Sequence, residues 1–292
     1  DGADLAITDF EPALARAAEE CGVPYVSLDH QHFLVVNDLS GLPSDLRWKA
    51  RLMGKFVGFY CRKPVETIVS QFYAPPLLPE YSHVTQVGVL LRPEVLATSP
   101  EPGRHLLAYL RREMPDNVLE AFRVLGFPVK VYGLGARPRQ GEVEFLPVSQ
   151  RAFIEDLASA SIVVSTAGNQ LVGEALFLRK PVLAMPEANN FEQRINAHYL
   201  AEGGWGEWVE PHHLSAAVLR QFLERAGDFI ARIDPEKVAG NRRALEVISR
   251  HLPVHSLPEP GELNDRIDDA PARFRLPAED IELALDREEL VV

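Results

Sequence analysis

Cysteine is scarce: Cys21 and Cys61 are the two thiols of a 292-residue chain. They lack the close spacing of metal ligands and read as reduced cysteines of a cytoplasmic protein, which excludes a disulfide framework. Long apolar runs are missing too. None reaches the roughly 20 residues a helix needs to cross a bilayer. Positive charge is in deficit, with 30 Lys and Arg against 42 Asp and Glu and a net charge of -12. Broad phosphate-driven nucleic-acid binding needs clustered cations, so that class is excluded. No strand-borne Asp-x-Asp offers itself to a divalent ion. Gly133-Leu134-Gly135 lacks the third glycine of a dinucleotide fingerprint, and His212-His213 beside Pro211 has no matching third ligand for zinc. The chain opens on Asp1, with no charged-then-apolar signal before its first strand, and reads as a fragment or a processed product.

What is present is the composition of a globular protein: 46% hydrophobic and 25% charged residues. The length suits two domains as well as one large one. Asp4 to Thr8, Ala13 to Glu20 and Pro24 to Leu28 read as strand, helix and strand, with Gly22 stopping the helix. An aromatic-rich segment, Phe56 to Tyr73, mixes helix and strand, with the strand at Thr67 to Ser70. Arg92 to Gly103 carries Pro93, Pro100 and Pro102 and little apolar periodicity, which reads as a linker.

A second alternating series follows. Its strands are His105–Leu110, Pro128–Tyr132, Ile162–Ser165 and Pro181–Met185. Its helices are Asn117–Leu125, Gln150–Ala158, Gln170–Phe177 and Phe191–Leu200, with further helices at Leu214–Ala226 and Pro235–Ser249. Strands alternating with helices at this spacing call for parallel pairing with helices on both faces. The expected architecture is therefore α/β: an incomplete N-terminal Rossmann-like domain over 1–91, a linker over 92–103, a C-terminal Rossmann-like domain over 104–232, and a closing helix and tail over 233–292. After His251, five prolines and eleven acidic residues against four arginines suggest a solvated tail.

Parallel sheets bind ligands beyond the carboxyl ends of their strands, where helix N-termini present free N–H groups. Ser165-Thr166-Ala167-Gly168-Asn169-Gln170 is such a strand-to-helix turn, with Gly168 offering close backbone approach to a diphosphate. Taken alone, a glycine at such a turn is more often only a turn. Glu174, one turn into the helix, is placed to accept hydrogen bonds from a ribose diol, or else is an exposed helix glutamate favoured by the dipole. Glu192 and Asn196 share a helix face, with Gln193 beside them, so that acid and amide groups there suit sugar hydroxyls; a capped surface helix is the plainer alternative.

Gly168, Glu174, Pro181, Pro186, Gln193 and Asn196, in the frame "STAGNQLVGEALFLRKPVLAMPEANNFEQRINAHYL", resemble the donor-site signature of the family 28 glycosyltransferases. The resemblance reaches over roughly residues 1 to 210, through "PVKVYGLG" and back to "VPYVSLDHQH". It implies a GT-B fold, two facing Rossmann-like domains with a nucleotide diphospho-sugar between them. It also implies that Gly168 and the N–H groups around Asn169 hold the diphosphate, with Ser165, Thr166 and Gln170 among the donor-binding residues. By the same resemblance Glu174 would bind ribose, Glu192 and Gln193 would meet the donor sugar, and the Phe145 to Val148 loop, with Leu146, would flank the base; Asn196 and Gly133 complete the expected donor-binding set. No cofactor or metal is implied, because a helix N-terminus meets the charge of the leaving diphosphate.

Two features depart from the family. Leu110-Arg111-Arg112-Glu113-Met114-Pro115 stands where relatives carry a glycine-rich loop, and the Gly- and His-containing loop near the acceptor is absent. A base is still needed for the acceptor hydroxyl. His30 and Asp9, each just past a strand end, are the candidates, against the alternatives of a structural histidine and a helix-capping aspartate. The expected activity is metal-independent, inverting transfer of a sugar from a UDP-linked donor to a hydroxyl of a glycan, lipid or small molecule, with peripheral membrane contact compatible with the sequence. The alternatives are a non-catalytic nucleotide-sugar-binding module and a nucleotide-sugar 2-epimerase.

Overall fold

The computed structural model describes residues 3–60, 62–111 and 114–252. Cys61, Arg112, Glu113 and all but the first residues of the expected tail lie outside the described residues. The elements below belong to one compact unit, Asp1–Arg250.

The first sheet is built from short β-branched and aromatic runs: β1 (Ala6–Thr8), β2 (Tyr25–Asp29), β3 (Glu66–Ser70) and β4 (Thr85–Val87). They lie in the order β1-β2-β3-β4, every pair parallel. α1 (Pro12–Cys21) links the first two strands. Its Pro12 opens it, and Gly22, at φ 68°, closes it in the left-handed conformation that glycine adopts without strain. A short turn α2 (Phe33–Val36) and the long α3 (Ser44–Tyr60) link β2 to β3.

The second sheet has seven strands: β5 (His105–Tyr109), β6 (Val129–Tyr132), β7 (Arg137–Gln140), β8 (Val143–Phe145), β9 (Ala160–Ser165), β10 (Val182–Ala184) and β11 (Gly206–Trp208). Their order is β11-β10-β9-β5-β6-β8-β7. Both faces are covered, which is why the strands read as nearly continuous apolar runs. Leu107, Val163 and Val182 point to one core. Leu106, Ala108, Ile162, Val164 and Leu183 point to the other. The covering helices are α5 (Asp116–Leu125), α6 (Gln150–Ala158), α7 (Asn169–Phe177), α8 (Phe191–Glu202), α9 (Ala216–Glu224) and α10 (Ala226–Ile230). A turn α4 (Pro93–Leu96) precedes them, and α11 (Pro235–Val238) and α12 (Asn241–Ser249) follow.

The structure differs from expectation in four places. The alternation of strand and helix calls for parallel pairs throughout, but β7 runs antiparallel to β8. That hairpin arm is Arg-Pro-Arg-Gln, without an apolar pattern to announce it. The expected helix at Leu214–Ala226 ends at Glu224, and α10 starts anew at Ala226. The expected helix at Pro235–Ser249 is interrupted at Ala239-Gly240, because the chain there passes against the first sheet: Gly240 N–H donates to Val89 O, and a Cβ on Gly240 would stand 1.9 Å from Gly88 O. The stretch from Arg92 to Gly103 contains α4, whose Val95 is buried.

α12 then packs on the first sheet, its Ala244, Val247 and Ile248 against Val26, Ile68 and Val87. The chain thus crosses from the first sheet to the second at 88–92 and returns at 238–241. Asn241 ties the two crossings with its side chain, accepting from Leu91 N–H and donating to Leu91 O, each at 2.9 Å.

Candidate functional site

The carboxyl ends of β3 and β9 meet, and there the two sheets touch through specific hydrogen bonds. Asn169, the first residue of α7, accepts from Phe72 N–H at 3.3 Å and donates to Ser70 O at 3.1 Å. Gln170 donates to Leu90 O at 3.0 Å. The Tyr73 hydroxyl donates to Asn196 Oδ1 at 2.8 Å, and the Asn196 amide donates onward to Ala167 O at 3.0 Å. Burial raises the Tyr73 pKa well above its ordinary value, with Glu192 and Tyr199 adding to the effect. The phenol therefore stays a neutral donor.

The turn from β9 into α7 holds its strain one residue earlier than the sequence suggests. Gly168 has φ -63°, which any residue adopts; the left-handed residue is Ala167, at φ 68°. A non-glycine residue in that region carries a conformational cost and persists where its surroundings over-determine it. Here the Asn196 amide holds the Ala167 carbonyl, and Ser165 Oγ accepts from Ala167 N–H at 3.4 Å. Ser165 and Thr166 are buried beneath the turn. No atom lies within 4 Å of where a Cβ on Gly168 would stand, so the surface over the turn is open. The first N–H groups of α7 lack intrahelical acceptors and carry the positive end of the helix dipole.

Opposite stands His30, just past β2. Its Nδ1 lies 3.1 Å from Ser70 O. A carbonyl only accepts, so Nδ1 carries the proton and the lone pair of the neutral ring sits on Nε2. Nε2 is buried, has no hydrogen-bond partner and lies 3.7 Å from Glu192 Oε1. The ring is stacked on Phe33 at 4.8 Å and meets the Tyr73 ring edge-on at 6.2 Å. Asp29 keeps this loop in shape, accepting from Ser27 Oγ, His32 N–H and His32 Nδ1. His32 is thereby tied to Asp29.

Asp9 follows β1 beside Phe10, itself at φ 51°. Although Asp9 reaches solvent, the atoms packed around it raise its pKa; the nearby Asp29 charge adds to this, and His30 opposes it.

Other expected site residues are already occupied. The buried Glu174 forms a two-armed pair with Arg92, at 2.7 Å from Nε and 2.6 Å from Nη2, and accepts from Gln170 Nε2 at 2.9 Å. Gln193 is drawn inward: Oε1 accepts from Glu187 N–H at 2.9 Å and Nε2 donates to Glu187 Oε2 at 3.4 Å, closing the loop before α8. Asn190 caps α8 by accepting from Gln193 N–H. Arg111 approaches Glu187 across this loop at 3.7 Å. Gly133 and Leu146 lie at the carboxyl ends of β6 and β8. Gly133 is at φ 87°, and a Cβ there would stand 2.0 Å from Leu110 O, so only glycine fits. Leu146 packs on the core and its N–H donates to Val131 O.

The structure therefore gathers the 165–170 turn, His30, Glu192 and Asn196 at one junction, with Glu174, on α7 itself, enclosed beneath Arg92. Sequence reasoning missed Arg92 and Tyr73. Arg92 looked like a linker residue, and neither carries a local signal for a partner far along the chain. Among the described residues, no cluster of His, Cys, Asp and Glu is arranged to hold a metal ion, and no helix is long and apolar enough to cross a membrane.

Residues 2–227 match the family model described as glycosyl transferase family 1. A Bacillus cereus protein, UDP-N-acetylglucosamine–N-acetylmuramyl-(pentapeptide) pyrophosphoryl-undecaprenol N-acetylglucosamine transferase 3, is 30% identical over 127 residues, covering 40% of this chain and 34% of the relative. The chain spans about a third of the length of the curated relatives it matches. Among solved structures, the glycotransferase of kitacinnamycin superposes with a TM-score of 0.60 at 18% identity, over 87% of this chain and 77% of that one. LpCGTa, solved in complex with UDP, gives 0.58 at 18% identity, over 84% and 74%.

Proposed function

The chain belongs to glycosyl transferase family 1 and has the GT-B fold, and from that premise we propose that it moves a sugar from a UDP-linked donor to a hydroxyl acceptor, with inversion and without a metal. The observation that carries this is the junction itself: the open N-terminus of α7 and, beside it, the His30 imidazole, whose buried Nε2 has no hydrogen-bond partner. In this reading His30 Nε2 takes the proton of the acceptor hydroxyl. The acceptor oxygen bonds to the anomeric carbon, and the bond from that carbon to the diphosphate oxygen breaks, its electron pair leaving with UDP. One displacement inverts the centre. The negative charge on the departing diphosphate meets the α7 N–H groups, a preorganised site that takes the place of a metal. Glu192 would orient the donor sugar and hold the imidazolium between steps, and Asp9 would bias that proton from further off.

On the acceptor side, α3 supports a lipid-borne hydroxyl. Its inner face is Leu46, Ala50, Gly54 and Val57. Its outer face, offset by two residues, exposes Trp48, Leu52, Phe56 and Phe59. Arg47, Lys49, Arg51 and Lys55 flank that apolar stripe. An apolar stripe edged by cations is the pattern of a helix lying in a membrane interface. The cytoplasmic placement rests on the two-thiol composition.

Calorimetry with UDP in the presence of a chelator tests the donor site. Binding is expected, with Glu174→Ala weakening it about tenfold or more and His30→Ala leaving it intact while abolishing UDP release in the presence of donor and acceptor. A folded protein that gives no heat with any nucleoside diphosphate would falsify the donor-site reading.

A further inference from the structure

A trans peptide unit points its C=O and its N–H in opposite directions. In the unit that joins Ala167 to Gly168, Ala167 O accepts from the Asn196 amide at 3.0 Å, and Asn196 is fully buried. The Gly168 N–H of the same unit is therefore turned away from Asn196, beside the open end of α7. Sterics do not hold that plane. Gly168 has no Cβ, and no atom lies within 4 Å of where one would stand. A polar contact has to fix it, and the Asn196 amide supplies one.

That amide is itself held. A carbonyl only accepts, so Asn196 turns Nδ2 toward Ala167 O and Oδ1 toward Tyr73, whose hydroxyl donates to it at 2.8 Å. Among the described residues Tyr73 is the one donor to Oδ1. Without it a fully buried acceptor would be left unsatisfied, which costs more than the net worth of the bond and favours rearrangement. The Tyr73 ring is stacked on Tyr199 at 4.4 Å and meets Phe33 edge-on at 6.0 Å, so the ring has its own support apart from the hydroxyl. Asn169 ties the next residue but one to the same loop, through Phe72 N–H and Ser70 O.

We infer that Tyr73 is a positioning residue for the donor: its hydroxyl holds the Asn196 amide, which holds the peptide plane at 167–168 and so aims the N–H groups that meet the diphosphate. This rests on the reading of the 165–170 turn as the diphosphate site. Tyr73 acts through Asn196 and needs no contact with the ligand. It stands just past β3, in the sheet that also carries His30, so donor affinity is set in part from the sheet opposite the binding turn.

The test is a double-mutant cycle on UDP binding, measured by calorimetry on the whole chain well below its melting transition. Tyr73→Phe keeps the ring and removes the hydroxyl, and UDP affinity is expected to fall about tenfold. Asn196→Asp keeps an acceptor for Tyr73 but removes the donor to Ala167 O, and a similar loss is expected; where that variant does not fold, Asn196→Ala takes its corner of the cycle. The double variant should lose about tenfold and not about a hundredfold, because both changes break one chain of contacts. Tyr199→Leu removes the stacked ring and leaves the hydroxyl, so it should lower the melting temperature while UDP affinity stays within about twofold. The inference is overturned by a Tyr73→Phe protein that binds UDP as tightly as the unmodified one, by losses that multiply, or by a Tyr199→Leu protein that loses as much affinity as Tyr73→Phe. In each of those cases the donor-site reading stands. An unmodified protein that fails to bind UDP overturns that reading as well.

Discussion

Asp9 combines a solvent-reaching carboxyl with surroundings that favour its protonated form. Packed atoms raise its pKa first and the Asp29 charge second, with His30 pulling the other way. A group whose folded pKa lies above its unfolded value contributes stability that is fully present below the unfolded pKa. That contribution is lost as pH rises through the folded one. Asp9 therefore weakens the fold at neutral pH relative to acid. Asp9→Asn should melt above the unmodified protein at pH 7, and the difference should close as pH falls below about 3.8, the ordinary value for aspartate. Differential scanning fluorimetry across that range decides it; equal melting temperatures at pH 7 would remove Asp9 from the set of strained groups. A residue that costs stability where it stands is the kind retained for chemistry. The position of Asp9 after a strand was legible in the sequence, as was that of His30. The proton on His30 Nδ1 was not, because it is fixed by Ser70 O, forty residues away.

At the scale of elements, the strands of both sheets were legible where β-branched runs lie between turn residues, as in Ile162-Val163-Val164 and Thr67-Ile68-Val69. α3 was not read as a distinct helix, because it carries apolar residues on two opposite faces and so lacks a single stripe. β7 was invisible for the opposite reason, having no apolar face.

The entry to β10 supplies a second prediction. Lys180 is buried, and its Nζ donates to Glu101 O at 2.7 Å. Burial lowers its pKa from 10.5 to about 8, with the Glu101 charge opposing. Between those two values the unfolded chain binds the proton and the folded one does not, so stability rises with pH through that window. The penalty is complete below about 8. Lys180→Met should therefore gain most over the unmodified protein near pH 7, and the gain should shrink toward pH 10. A pH-independent difference in denaturation midpoint would show that Lys180 acts by packing alone.

At the scale of the whole molecule, a net charge of -12 sets a repulsive background toward anionic membranes. α3 departs from it, with Arg47, Lys49, Arg51 and Lys55 against Asp45. If that face is the docking surface, the chain should cosediment with vesicles rich in anionic lipid and not with neutral ones, and Trp48→Glu with Phe56→Glu should abolish the association without changing UDP affinity. Cosedimentation that survives both substitutions would move the contact elsewhere. The overall α/β architecture was legible from alternation alone. The junction was not, since its bonds join residues about a hundred positions apart, such as Asn169 with Ser70 and Tyr73 with Asn196.

The return of the chain at 238–241 bears on the order in which the molecule is made. The first sheet emerges from the ribosome early, but the helix that covers Val26, Ile68 and Val87 is α12, which ends at Ser249. Until then those three side chains have only Leu5, Leu28 and Leu90 packed around them and lack the α12 cover of Ala244, Val247 and Ile248. The seven-stranded sheet, by contrast, has its strands in hand by Trp208. Synthesis thus supplies all the strands of the seven-stranded sheet before α12, the last of the described helices, covers the four-stranded one.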